Sequence, residues 1–192
     1  MVNRMPPSAS RQRGALMIEV LITIVVCVIG LWGLTEVQSR LQMSEVESYQ
    51  RSQALMLLDD MSTRIDLNRI NAASYVTGSA NPLGAGITCS TSTGSLAQRD
   101  AGEWCNLLQG VAETTSGSAR VGAMLGARGC VENIGTNRYM ITVAWQGMAP
   151  LTAPPSSVAC GANAFDTSGT ACVNDLCRRA ITTVVRIGNL AS

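Results

Sequence analysis

The stretch from Ala15 to Thr35 constrains this chain more than any other feature. Its only ionisable carboxylate is Glu19, and Val20 to Leu34 carries no formal charge. At the usual rise, a helix over this stretch is about 31 Å long, the thickness of a bilayer core. Residues 1–14 hold Arg4, Arg11 and Arg13 and no acid, a charge of +3 that leaves −2 for the remainder. That asymmetry places the N-terminus in the cytoplasm and everything after Thr35 on the opposite side. A secretory signal peptide has a shorter apolar region, about 7–15 residues, followed by a small-residue cut site. Here the run closes on Leu31-Trp32-Gly33-Leu34-Thr35-Glu36, with no A-x-A pattern. The sequence thus predicts a retained single-pass helix. Glu19 is its costly residue: a charged carboxylate in hydrocarbon costs about 2.5–3.5 kcal/mol on insertion scales and marks a function or a partner.

The residues around it, Arg13-Gly14-Ala15-Leu16-Met17-Ile18-Glu19-Val20-Leu21, resemble the processing site of type IV prepilins, where a basic leader ending in Gly precedes an apolar segment with Glu at its fifth residue. Ala15 and Leu16 stand where most members have Phe and Thr, and Glu36 where many major pilins have a kinking Pro. The resemblance implies that a prepilin peptidase removes residues 1–14 by cutting between Gly14 and Ala15, then N-methylates the Ala15 amine. It also implies that Glu19 pairs with the amino terminus of a neighbouring subunit during assembly. Such a partner answers the cost of the buried carboxylate. The cut falls before the apolar segment, so the helix stays in the mature protein.

Beyond Glu36 the pattern turns amphipathic. Val37, Leu41, Ala54, Leu57, Leu58, Met61 and Ile65 recur mainly at three- and four-residue steps. No Pro or Gly interrupts the chain between Leu34 and Tyr75, which predicts one helix from about Ala15 to Asn68 with Asn68 and Asn71 as terminators. Residues 15–35 form its transmembrane half and 36–71 hold its amphipathic half; 72–192 form a globular domain. Within that domain, 72–95 reads as loop and Leu96 to Val111 as a short helix with Trp104, Leu107, Leu108 and Val111 on one face. Arg128 to Ile134, Arg138 to Gln146 and Ala180 to Ile187 read as strands, the first two joined by a turn at Gly135-Thr136-Asn137. The predicted fold class is α+β: a long N-terminal helix packed on a small antiparallel sheet.

A segment from about Gly147 to Arg179 then lacks regular structure, and so long a loop needs restraint. Cysteines provide it. Cys27 lies within the apolar run as a small packing residue. Cys89, Cys105, Cys130, Cys160, Cys172 and Cys177 face an oxidising compartment, where six cysteines make three disulfides in one of fifteen connectivities. One bridge within the last three would tie the long segment, with the remaining cysteine pairing upstream. Successive spacings of 16, 25, 30, 12 and 5 contain no C-x-x-C pair, which argues against zinc and against thioredoxin-type redox chemistry.

Four further stretches narrow the resemblance to PilV-like minor pilins of the type IV pilus. They are Leu96-Ala97-Gln98-Arg99-Asp100 with Glu103-Trp104, Arg128-Gly129-Cys130-Val131-Glu132, Tyr139 to Gly147, and Val184-Val185-Arg186-Ile187. The resemblance implies a type IV pilin-like fold and, as partners, other minor pilins and the major pilin. It further implies insertion in the inner membrane with a periplasmic C-terminal domain, and incorporation into the pilus.

Composition restricts the alternatives. Every one of the 14 basic residues is Arg, and the chain has neither Lys nor His. His-based triads, His-metal sites and catalytic lysines are thereby removed, so no enzyme, cofactor or metal is expected. A net charge of +1 and seven aromatic residues do not suit nucleic-acid binding. Asp59, Asp60 and Asp66 read as a solvated helix face. Asp166-Thr167-Ser168-Gly169 near Asn174 and Asp175 lacks the alternating ligands of a calcium loop and reads as a turn. Trp104 and Trp145 read as core or interface. The leading expectation is a minor pilin that primes assembly in a complex with other minor pilins and sits at the tip. Its competitors are a type II secretion pseudopilin and a membrane-anchored periplasmic adhesin or binding module.

Overall fold

The computed structural model describes residues 12–111 and 124–188, so the expected leader lies outside the described residues except for its last three. A single helix, α1, runs Gln12–Leu67. The chain divides into two compact units between Glu45 and Val46, and α1 contributes to both.

In the first unit, large apolar side chains from Leu16 to Leu34 stand exposed over the helix surface. Two of its hydroxyls are satisfied internally: Thr23 Oγ1 donates to the Val20 carbonyl at 2.8 Å and Thr35 Oγ1 to that of Trp32 at 2.7 Å. Such back-bonding is what an apolar solvent demands of a polar side chain. The helix passes through Gly30 and Gly33 without interruption.

The second unit is α+β. A four-stranded antiparallel sheet has the order β1-β2-β3-β4, from β1 Leu83–Gly84, β2 Arg128–Gly135, β3 Arg138–Gln146 and β4 Arg178–Arg186. β2 and β3 form a hairpin whose register closes on Gly135 opposite Arg138. The turn between them places Asn137 at φ 52°, a left-handed conformation that Asn tolerates. The other helix is α2, Leu96–Leu108, whose first turn is capped by Ser95 Oγ accepting from the Gln98 amide.

Alternation along β3 decides where the core lies. Tyr139, Ile141, Val143 and Trp145 join Val131 of β2 and Val185 of β4 in one cluster with Ala54, Leu58, Met61 and Ile65 of α1 and with Trp104 and Leu108 of α2. The sheet therefore lies on the last turns of α1, with α2 wedged beside them. The apolar stripe is shorter than expected. Val37 and Leu41 are exposed, and burial begins at Gln50 and Ala54.

Three differences from the expected elements have local causes. α1 stops at Leu67 and continues as a 3-10 helix, Arg69–Tyr75, interrupted by Asn71 at φ −109°, ψ 22°. Segment 72–95 is not wholly loop, since Leu83 and Gly84 pair with Gly129 and Arg128. β4 begins two residues early, at Arg178, because it pairs with β3 to its end at Gln146.

Candidate functional site

Two places in the chain depart from what a self-contained soluble domain needs. The first is the N-terminal part of α1. Gly14 and Ala15 lie in the helix, and Glu19 stands on its exposed surface among Leu16, Ile22 and Thr23. Among the described residues, no cation lies within ion-pair distance of Glu19. Its carboxylate therefore sits on a helix long and apolar enough to cross a membrane, without an ion-pair partner among the described residues. Cys27, on the same exposed surface, is the free cysteine.

The second place is the face of the sheet opposite the core, which the segment between β3 and β4 covers. Cys130 projects onto this face from β2 and bonds to Cys160, with Cα atoms 5.9 Å apart. Cys172 and Cys177 close a small loop at the end of the same segment. The third bridge, Cys89–Cys105, ties the chain before α2 to its middle.

Polar contacts complete the fastening. Arg178, 3% exposed, donates from Nη1 to the carbonyls of Val158 and Cys160 and pairs through Nη2 with Asp175. Arg179 reaches the other way: Nε and Nη2 both donate to Glu47 Oε1 on α1, at 3.2 and 2.9 Å, and Nη2 also donates to the Ala149 carbonyl. Asp166 accepts from the amides of Asn174 and Asp175, while Asp175 accepts from that of Asn163. The acids near Asn174 thus work as turn caps. Among the described residues, no group of acids and cysteines is placed to hold a metal.

Sequence reading missed the largest polar cluster of the unit. Arg64 on α1 donates from Nε to Asp60 at 2.9 Å, and from Nη1 to Asp100 at 3.0 Å and Glu103 at 2.7 Å, both on α2. Tyr75 donates its hydroxyl to Asp100 and accepts from Asn68 Nδ2. Burial lowers the Arg64 pKa, but the hydrogen bonds to Glu103, Asp60 and Asp100 outweigh it and hold the guanidinium above its usual range. Burial, then the bond to Asp100, pushes the Tyr75 hydroxyl up to about 12. The bonded pairs lie up to 39 positions apart, so only their common type, not their spacing, marked them. Asp60 thus leaves the expected solvated face, whereas Asp59 and Asp66 remain exposed.

Trp104 Nε1 donates to the Leu57 carbonyl at 2.9 Å, and both Trp104 and Trp145 belong to the core. Their burial places them where core residues belong. Compared with family models, with curated proteins and with solved structures, the chain finds no match.

Proposed function

We propose that this chain is a PilV-like minor pilin, an assembly subunit rather than an enzyme. A prepilin peptidase would cut it after Gly14 and methylate Ala15, and the inner membrane would hold it until it joins a type IV pilus. The observation that carries the reading is the coincidence of three features at one point. A basic leader ends in Gly14, Glu19 stands at the fifth residue after it, and a helix of membrane-spanning length follows with its apolar surface bare.

The physical argument runs through Glu19. Ala15 becomes a positive amine only after cleavage, and four residues up the helix the carboxylate has no cation paired with it among the described residues. An adjacent processed subunit supplies one, and in a low-dielectric medium that attraction is strong enough to set axial register between helices. The crosslinked unit beyond Val46 suits the oxidising compartment in which it would face other minor pilins and the major pilin. A priming or tip complex with other minor pilins is the setting proposed.

The test separates processing from assembly. Gly14→Val leaves an uncut precursor in the membrane, read by mass spectrometry of the N-terminus. Glu19→Val is cleaved normally yet fails to co-purify with its partner pilins from detergent, and surface filaments fall in number. Normal partner recovery and piliation with Glu19→Val would refute the assembly contact. A functional protein retaining residues 1–14 would refute the processing.

A further inference from the structure

Arg128 is the one arginine of the second unit that is neither exposed nor paired with an acid among the described residues. It leaves β2 on the face that carries Cys130, opposite the core, and enters the wall of an open cleft of about 400 Å³. The other walls are Ser79, Ala80 and Pro82 on one side and Ala159, Gly161, Ala162 and Ala164 on the other. Arg128 Nε is sealed from water and has no acceptor, and neither Nη group has a partner in the described chain. A buried N–H left unmade costs about 1–3 kcal/mol, a cost that Arg128 Nε shares with Arg178 Nε, although the Nη groups of Arg178 are held by two carbonyls and Asp175.

Among the described residues no acid pairs with it, although Glu132 stands on the same face of β2 with its Oε2 buried and without a partner. Asp175 pairs with Arg178, and Asp166 caps the turn at Asn174. Every remaining wall residue is uncharged, and most are small. The cleft therefore presents one cation in a space of small-molecule size, walled by small residues and Pro82. Its walls are held in place before any ligand arrives. Gly161 follows Cys160 directly, and the Cys130–Cys160 bridge fixes that turn to the same strand that carries Arg128. A Cβ on Gly161 would lie 3.5 Å from Arg128 Cδ and 3.3 Å from Ala144 Cβ, so the turn is seated closely on the sheet.

We propose that this cleft binds a small organic carboxylate. One guanidinium, with no second cation and no helix N-terminus among the described wall residues, matches a single negative charge better than a phosphate dianion. Its planar array of donors fits a planar carboxylate. The volume beyond the guanidinium accommodates a body of about hexose size, which makes an acidic monosaccharide a suitable probe. The proposal is independent of the pilin reading, since it concerns ligand binding and not filament formation.

The test uses the full chain, purified oxidised in detergent, and titrates glucuronate, glucose, acetate and inorganic phosphate by ligand-observed NMR and calorimetry. Glucuronate is expected to bind in the millimolar range and more tightly than acetate, with phosphate weaker and glucose silent. Arg128→Gln should weaken glucuronate by about tenfold or more, the share of one charge-assisted contact. Ala162→Glu, on an exposed wall residue, should do the same by placing a competing carboxylate in the cleft without touching the core. Reduction of the disulfides should also weaken binding. Failure of every carboxylate to bind overturns the proposal, as does binding that survives both variants. Equal binding of phosphate and glucuronate overturns the carboxylate assignment. Normal circular dichroism of Ala162→Glu guards against loss through misfolding.

Discussion

Gly129→Ala is the smallest change expected to damage the second unit severely. Gly129 sits in β2 with no side chain because the indole of Trp104 occupies the space. A Cβ there would stand 2.2 Å from Trp104 Cη2, 2.4 Å from Cζ3 and 2.7 Å from Leu108 Cδ1. Ordinary contact begins at about 3.4 Å, so the ring must retreat by more than 1 Å. It has little room, being wholly buried, and its Nε1 is tied to the Leu57 carbonyl on α1. Overpacking of this kind costs about 1–3 kcal/mol, and loss of the indole hydrogen bond adds about 1 kcal/mol. A total near 3 kcal/mol lowers Tm by about 10 °C for a unit of this size. Thermal melts of the full chain in detergent, followed by circular dichroism, measure it. A Trp104→Phe background sharpens the logic, because Phe lacks the two atoms that clash. Trp104→Phe alone is destabilising, but Gly129→Ala added to it should cost less than 1 kcal/mol more, a coupling visible in a double-mutant cycle. Strict additivity of the two changes, or a single-variant cost below about 0.5 kcal/mol, would refute the reasoning.

Four further outcomes are expected. Removing Cys130–Cys160, which closes 30 residues, should cost about 3.5 kcal/mol, and removing Cys172–Cys177, separated by 5, about 2 kcal/mol, ranked by melts of the paired Ser variants. Labelling of the oxidised, unreduced chain should find Cys27 alone. Tyr75 holds its proton more tightly folded than unfolded, so its contribution is complete below the usual tyrosine pKa and fades as pH rises from about 10 towards 12; the drop in Tm over that window should shrink in Tyr75→Phe. Arg64→Met should cost about 3 kcal/mol by stranding Asp100, which is 7% exposed, and Asp100→Asn should recover much of the loss in the double variant.

How far the sequence revealed this architecture depended on how local each signal was. The helix over the apolar run, the hairpin at Gly135 to Asn137 and the alternation of β3 are written in consecutive residues, and they stand where the pattern puts them. The boundary of burial on α1 was not legible. Val37 and Leu41 keep helical spacing, but spacing cannot say where the covering sheet ends. β1 was invisible because two residues carry no period, and its pairing depends on Gly84 at φ 106° beneath the Ala127 carbonyl. For the long segment, position placed one bridge among the last three cysteines and one upstream. Choosing Cys172–Cys177 and Cys130–Cys160 required knowing that Cys130 points away from the core. The same alternation conceals Arg128. Its neighbour Gly129 faces Trp104, so Arg128 must face the loop, a conclusion available only once the core side of β2 is known.

A chain without Lys or His gives all its cationic work to arginine, and the second unit shows how that work is divided. Arg64 bridges two helices by gathering three carboxylates, a task suited to a planar group with several fixed donors. Arg178 and Arg179 are consecutive on a strand and so point to opposite faces. One clamps the crosslinked segment from beneath, and the other binds the sheet's end to Glu47 of α1. The two adjacent arginines are thus spent on both sides of one strand. The same geometry explains why β4 must start at Arg178. If pairing began at Ala180, neither guanidinium would be held against its own face of the sheet, and the segment from 147 to 177 would keep its bridge to Cys130 but lose the clamp beside it. Arg128 leaves the sheet on that covered face as well, two residues from Cys130, and among the described residues no acid pairs with it. A fold that answers its other buried arginines with carboxylates or carbonyls leaves this one to whatever enters the cleft.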